Sequence, residues 1–291
     1  MHNHFCQYIS ELAVRAMLYE VSATPKPGLV DRNNPGAHKD MDFYTFMASS
    51  AALSSTFYLC TKAGMDFDET DYRLLLQRIR PIGIEGEKKM FAATKGINTH
   101  KGLVFSLGIL AAAVGSVFTE TQSTIFDTDV LCKRVQEMTK GISEGELFQL
   151  RKKENLTYGE KLFLKYGIKG IRGEVESGFK TVRSCSLPVL RALMQDTDKT
   201  QNDIYVQVLL HLMALAEDSN VLGRHDLSTL SYVKEKAKDA LSAGGIFTAE
   251  GRQKILDMDE DFIMKHISPG GSADLLAVTL ILYFLENPKG N

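Results

Sequence analysis

The chain has no tryptophan, only seven prolines and only four cysteines among its 291 residues. Cys6, Cys60, Cys132 and Cys185 lie more than fifty residues apart with no CxxC spacing, so neither a zinc site nor a disulfide framework is indicated. There is no excess of either charge: 34 Lys and Arg stand against 36 Asp and Glu, a net charge of -2. Such a balance implies no field able to gather nucleic acid or an anionic membrane, and any phosphate recognition must therefore be local. Several catalytic signatures are also missing, among them GxxxxGK[ST], GxSxG, HExxH and a GxGxxG following a strand. The start, Met1-His2-Asn3-His4-Phe5, leads into an amphipathic stretch with Glu11 and Arg15. It lacks the basic beginning and apolar middle of a signal peptide, so reduced thiols and a cytoplasmic location are expected.

What is present is the composition of a globular protein, 44% hydrophobic and 24% charged, which excludes disordered and collagen-like classes. Apolar spacing is helical nearly throughout, as in Ile204, Val208, Leu209, Leu212, Met213, Leu215 and Ala216, and alternating strand patterns are scarce. Further helices are expected at about residues 4–21, 43–62, 70–92, 124–139, 186–196, 226–242 and 272–286. The longest apolar run, Leu103 to Phe118, contains Ser106, Gly108, Gly115 and Ser116 and is shorter than a bilayer span; it reads as a buried central helix. No linker, low-complexity tract or repeat divides the chain, so the expectation is an all-α, multi-helix bundle forming a single domain over residues 1–291.

Five junctions between helices combine Gly or Pro with charged side chains, although a turn has no structural need for charges of both signs. In Thr24-Pro25-Lys26-Pro27-Gly28-Leu29-Val30-Asp31, two prolines stiffen the backbone around Lys26, and Gly28 permits a turn that brings Asp31 close. In His38-Lys39-Asp40-Met41-Asp42, Asp42 is placed as a helix N-cap, whereas an extended segment would turn His38 and Asp40 to one side for a metal or polyphosphate contact. Gly96-Ile97-Asn98-Thr99-His100-Lys101-Gly102 opens the apolar helix, with Asn98 or Thr99 as cap. His100 and Lys101 in the first turn oppose the helix dipole until an anion binds, so this end reads as a phosphate cradle.

The fourth junction is Gly170-Ile171-Arg172-Gly173-Glu174-Val175-Glu176-Ser177-Gly178-Phe179. Arg172 offers a planar fork to phosphate, and Glu174 and Glu176 share a face if the piece is extended, one to accept a proton and one to hold Mg²⁺. The fifth, Glu217-Asp218-Ser219-Asn220, ends a strongly apolar helix, where an acid opposes the dipole and should meet a cation, a donor or a metal. His225-Asp226 resembles the metal dyad of HD phosphohydrolases, but that dyad needs further His and Asp ligands in order, and Asp226 also suits a helix N-cap and His225 the surface. In Ser268-Pro269-Gly270-Gly271-Ser272-Ala273-Asp274, Ser272 as N-cap and Asp274 in the first turn satisfy local rules, which leaves the segment a secondary binding candidate.

Pro25-Lys26-Pro27-Gly28-Leu29-Val30-Asp31, His38-Lys39-Asp40-Met41-Asp42, Asn98-Thr99-His100-Lys101-Gly102, Arg172 to Phe179 and Asp218-Ser219-Asn220 resemble, in order, the motif series of triphosphoribosyl-dephospho-CoA synthases. The likeness runs from about residue 20 to about residue 280. In that family a His-Arg pair often follows the Asp-Ser-Asn motif; here Gly223-Arg224-His225 stands, so only Arg224 carries over. The resemblance implies transfer of the triphosphoribosyl group of ATP to the ribose 2′-hydroxyl of 3′-dephospho-CoA, with adenine leaving. The product would be the prosthetic-group precursor of citrate lyase, passed on to an acyl carrier protein transferase. Under that reading Glu174 is the first choice of general base and Asp218 the second. Lys26, Lys101, Arg172 and Arg224 would hold phosphates, and Asp40, Glu176 or Asp218 would meet Mg²⁺. Asn98 or Asn220 would orient ribose or adenine, and Gly28, Asp31, His38 and His100 would complete the substrate site. A malonate decarboxylase counterpart, an Mg²⁺ phosphohydrolase of HD type and a noncatalytic nucleotide-binding scaffold are the competing readings.

Overall fold

The computed structural model describes residues 2–143 and 158–288, and within them all regular structure is helical. Long helices come first: α1 (His2–Ser22), α2 (Phe43–Met65), α3 (Tyr72–Ala93), α4 (Lys101–Thr121) and α5 (Thr128–Thr139). Shorter pieces follow: α6 (Tyr158–Tyr166), α7 (Gly170–Glu176), a π-helical turn (Val182–Ser186) and α8 (Leu187–Leu193). The chain closes with α9 (Gln201–Leu215), α10 (Ser219–Arg224), α11 (Leu227–Ser242), a 3₁₀ turn (Gly245–Phe247), α12 (Ala249–Met264) and α13 (Gly270–Glu286).

Capping chemistry sets many of these boundaries. Asp42 accepts from Thr45 N at 2.8 Å, and Thr45 Oγ1 accepts in return from Asp42 N at 3.2 Å, the reciprocal box expected at this start. Asp226 caps α11 through Thr229 N at 2.8 Å, as its position suggested. Four of the described helices, α6, α7, α10 and α12, escaped the sequence reading, α7 and α10 because they fall in segments read as junctions. α12 buries only a narrow stripe, including Ile255, Met258 and Phe262, within a charged segment, so its periodic signal is weak.

One continuous core extends from Phe5 to Leu285, with α2 packed among α1, α3 and α4. The α2–α4 crossing is close enough that a β-carbon on Gly115 would lie 2.1 Å from the Thr61 carbonyl oxygen. This accounts for a glycine in the apolar run. α4 is longer than that run, and its 21 residues, with an 18-residue stretch of mean hydropathy 2.0, would suffice by length and composition to cross a membrane. Every residue from 106 to 118 is nevertheless buried inside the protein, as a central helix should be.

The N-terminal ends of α4 and α13, the C-terminal end of α1 and the short α10 all reach one place, which the loop 23–42 closes. Its wall includes Val30, Met41 and Phe46, which form a small apolar satellite with Val21 and Phe43 behind them.

Candidate functional site

A cavity of about 110 Å³ lies where these ends meet. Loop 23–42 contributes Lys26 and His38, α4 and the residues before it contribute Asn98, His100 and Lys101, and α10 contributes Asn220 and Arg224. Seven residues expected to bind substrate, drawn from four separate junctions, thus line one space. Glu20, Phe46, Ser268 and Asp274 join them.

The inner end is acidic and enclosed. Glu20 and Lys26 form an ion pair whose side chains are 3% and 1% exposed, so the lysine charge is already neutralised within the protein. Burial raises the Glu20 carboxyl, Lys26 opposes that shift, and Asp31 adds to it. Asp31 is not in the cavity wall: it accepts from Thr24 Oγ1 at 2.6 Å, Lys26 N at 3.0 Å, Asn33 N at 2.6 Å and Asn34 N at 3.1 Å. It shapes the loop that presents Lys26. Gly28 is likewise a framework residue, its N–H donating to Asp259 Oδ1 at 2.8 Å.

His100 is buried and edge-on to Phe46, with ring centroids 4.8 Å apart. Thr99 Oγ1 donates to Ser49 Oγ at 2.8 Å, which frees the Ser49 proton for His100 Nδ1 at 2.7 Å. With Ser49 as donor the imidazole carries its own proton on Nε2, an atom that is buried and has no partner among the described residues. Burial and the nearby Lys26 charge lower the His100 pKa to about 3, so it presents a neutral donor. His100 itself stands at the N-cap of α4 without a side-chain cap bond, while Asn98 Oδ1 accepts from Lys101 N at 3.2 Å.

The rim is basic. Lys101 is exposed and pairs with Glu87 at 2.9 Å, Arg224 is exposed, and His38 bonds Ser268 Oγ at 2.9 Å. Burial and Arg224 lower the His38 pKa, against the pull of Asp40.

Asp218 sits at the start of α10 rather than serving the end of α9. Its carboxylate takes five donors: Asn220 N at 3.0 Å, Val221 N at 3.3 Å, Gly271 N at 3.2 Å, Ser272 N at 2.8 Å and Ser272 Oγ at 3.0 Å. A donor is what the sequence argument required as one alternative, and the residue ties α10 to the N-terminus of α13. Ser272, expected as a cap, is inside α13, whose N-cap is Pro269.

Asp274 belongs to the segment that local rules explained and that stood only as a secondary binding candidate. The residue lines the cavity, its carboxyl has no hydrogen-bond partner among the described residues, and burial together with Glu20 and Asp218 holds its pKa well above the usual carboxylate range. An acid in the first turns of a helix is explained locally by the dipole, which hid it. Glu20 had a better signal, a carboxylate near the C-terminal end of α1 where the dipole disfavours it.

The fourth junction behaves differently from expectation. Gly170–Glu176 is helical, so Glu174 and Glu176 diverge by about 200° instead of sharing a face. Glu174 accepts from Thr181 N at 2.6 Å and Thr181 Oγ1 at 2.9 Å, with burial raising its pKa. Glu176 accepts from Gly141 N at 3.0 Å and Lys169 Nζ at 3.4 Å. Neither these residues nor Arg172 is in the cavity wall.

Among the described residues no three His, Cys, Asp or Glu side chains are disposed to hold a metal ion. Asp40 is exposed, and Asp40, Glu176 and Asp218 occupy separate settings. His225 and Asp226 also part company: His225 Nε2 meets His266 O at 3.0 Å, and Asp226 caps α11.

Comparison with known proteins agrees with this geometry. The family model for CitG, ATP:dephospho-CoA triphosphoribosyl transferase, matches residues 6–291. A Streptococcus equi subsp. zooepidemicus (strain H70) protein, named a probable 2-(5''-triphosphoribosyl)-3'-dephosphocoenzyme-A synthase, is 42% identical over 96% of this chain and 97% of its own. A Streptococcus pyogenes serotype M5 (strain Manfredo) protein of the same name is 40% identical over 96% of each. An Archaeoglobus fulgidus crystal structure, provisionally described as a triphosphoribosyl-dephospho-CoA synthase, shares the fold with a TM-score of 0.50 at 18% identity, covering 83% of this chain and 99% of that one. With its motif residues converging on one cavity and its sequence matched from residue 6 onward, this chain belongs to the ATP:dephospho-CoA triphosphoribosyl transferase family.

Proposed function

We propose that the chain transfers the 5″-triphosphoribosyl group of ATP to the 2′-hydroxyl of 3′-dephospho-CoA and releases adenine. The observation that carries this reading is the family match over residues 6–291, together with 42% identity spanning nearly the whole of both chains. The product, 2′-(5″-triphosphoribosyl)-3′-dephospho-CoA, is the prosthetic-group precursor of citrate lyase. It would pass to the acyl carrier protein transferase of that pathway, and a malonate decarboxylase system would use the same compound. The four free cysteines and the burial of α4 support a cytoplasmic protein, and the continuous core supports one domain.

The chemistry is displacement at C1″ through an oxocarbenium-like transition state, which gains from nearby negative charge and from fixed donors on the departing group. Lys101 and Arg224 at the rim suit the triphosphate or the CoA diphosphate, and the neutral His100 Nε2–H suits an acceptor atom of the nucleotide deeper inside. Asn220, on the same wall, has the amide to orient ribose or base. Asp218, its lone pairs engaged by five donors, serves by holding α13 and not by accepting a proton.

Mg²⁺ commonly reaches such reactions on the substrate phosphates, keeping several waters and taking one or two protein carboxylates. Asp40, exposed in its loop, Glu176, bonded to Gly141 N, and Asp218, bonded to Ser272, do not fit as a shared ligand set.

Mass spectrometry of a reaction containing ATP and dephospho-CoA tests the reading. One triphosphoribosyl unit should be added to dephospho-CoA and free adenine should appear in equal amount. Stoichiometric phosphate or pyrophosphate release would overturn it in favour of a phosphohydrolase, and ATP binding without turnover would favour a scaffold.

A further inference from the structure

The cavity is too small for a whole nucleotide. Its volume of about 110 Å³ falls below the roughly 300–1,000 Å³ of pockets that enclose drug-sized ligands, so it admits one part of the substrate. Which part follows from the distribution of charge. The inner end holds the buried Glu20 carboxyl and the half-buried Asp274, with Asp218 behind them and a Lys26 already neutralised by Glu20. A phosphate would be repelled there and has better partners at the rim, where Lys101 and Arg224 are exposed. A neutral heterocycle, by contrast, gains apolar walls from Val30, Met41 and Phe46 and a hydrogen-bond donor from His100 Nε2.

We infer that this inner cavity receives the adenine of ATP and that Asp274 is the catalytic residue that donates a proton to N7 of the departing base. The inference rests on the transfer reaction proposed above. Cleavage of the C1″–N9 bond sends its electron pair into the purine, which is a poor leaving group as an anion and a good one once N7 is protonated. The Asp274 O–H bond breaks as the N7–H bond forms, and neutral adenine departs. The 2′-hydroxyl oxygen of dephospho-CoA then bonds to C1″, and its proton returns to the Asp274 carboxylate directly or through water. The protonation state of the site is restored with no other reactant.

Three observations besides the reaction itself converge on Asp274. Among the described residues no donor or acceptor is found on its carboxyl, although Glu20 on the same wall is paired and Asp218 behind it is saturated. Asp274 Oδ2 is packed over Gly102, where a β-carbon would displace it, so the carboxyl lies against the first turn of α4, two residues from His100. Its charged and titratable surroundings are Glu20 from α1, Asp218 before α10, Arg224 from α10, Lys26 and His38 from the loop, and His100 and Lys101 from α4. Burial, Glu20 and Asp218 favour the protonated acid, the form a proton donor needs at neutral pH.

The test compares leaving groups. Asp274→Asn should reduce kcat with ATP by on the order of 10²-fold or more with a small change in KM. With 8-azaadenosine triphosphate, whose base departs readily without protonation, the same substitution should cost about tenfold or less. A loss equal for both nucleotides would assign Asp274 to hydroxyl deprotonation, and no loss would remove it from the chemistry; either result overturns the inference. The wild-type enzyme supplies a reading that needs no variant. 7-deaza-ATP, which lacks N7, should bind in competition with ATP without releasing its base, and turnover near the ATP rate would overturn N7 donation. If wild-type enzyme forms no product from ATP and dephospho-CoA, the transfer reading itself fails; product formation with normal Asp274→Asn turnover sinks only this inference.

Discussion

A β-carbon built on Gly102 would stand 2.1 Å from Asp274 Oδ2, so the start of α4 and the first turns of α13 are in contact through a carboxylate. The obstructing atom is the end of a side chain, and Gly102→Ala should therefore be absorbed by rotating Asp274 away without unfolding the helix. Displacement of a reacting group by about 1 Å can cost on the order of 10²-fold in rate. A fall of kcat of at least about tenfold, with a nearly unchanged thermal midpoint, is the expected outcome in steady-state assays of adenine release.

Lys26→Met should destabilise the protein strongly, because the Glu20 carboxylate would be left unpaired in a site where its side chain is 3% exposed. Removing one partner of a buried pair costs roughly 3–5 kcal/mol, whereas replacing both is far milder. Urea unfolding of Lys26→Met beside Glu20→Gln/Lys26→Met should show much of the loss recovered in the double variant. Equal losses would mean that the pair is not the enclosed unit described.

His100 confers a pH dependence on stability. Folding lowers its pKa from about 6.5 to about 3, so between those values the unfolded chain binds more protons. Its contribution is fully present above about pH 6.5 and is lost progressively as the pH falls toward 3. The raised carboxyls of Glu20, Asp218 and Asp274 act with the opposite sign over the acid range. The difference in unfolding free energy between wild type and His100→Gln isolates the histidine, and it should shrink by several kcal/mol on the order-of-magnitude scale across that window. A constant difference would contradict the buried neutral state.

Asp218→Asn places an amide where Ser272 N and Ser272 Oγ both donate to Oδ2 or, with the amide reversed, where Asn220 N, Val221 N and Gly271 N donate to Oδ1. At least one buried donor loses its acceptor in either orientation, at about 1–3 kcal/mol each. Thermal unfolding should report a clear loss of stability. Because α13 carries Asp274, kcat should fall as well, by less than in Asp274→Asn.

Lys101→Ala removes an exposed ion pair with Glu87, which is worth about 1 kcal/mol or less to the fold. If the rim holds the triphosphate, KM for ATP should rise several-fold while the thermal midpoint hardly moves. The wild-type KM should also increase with ionic strength more steeply than that of the variant. An unchanged KM would take Lys101 out of the phosphate cradle.

The helical class, the long helices α1 to α4, α9, α11 and α13, and the caps at Asp42 and Asp226 are local consequences of apolar spacing and side-chain geometry, and they were legible from the residues alone. Lys26, His38, Asn98, His100, Lys101, Asn220 and Arg224 could be singled out in the same way, as charge or amide beside turn-forming residues, and the fold brings them to one cavity. Tertiary structure decided how those junctions combine. α7 coils Glu174 and Glu176 apart, the start of α10 gives Asp218 two helix ends to bind, and the packing of α1, α4 and α13 encloses Glu20 and Asp274 in one acidic pocket. Local rules can assign a carboxylate to a cap or to solvent, but the desolvation and like-charge repulsion that turn Asp274 into an acid arise only when chain segments more than 250 residues apart, at Glu20 and Asp274, are brought together.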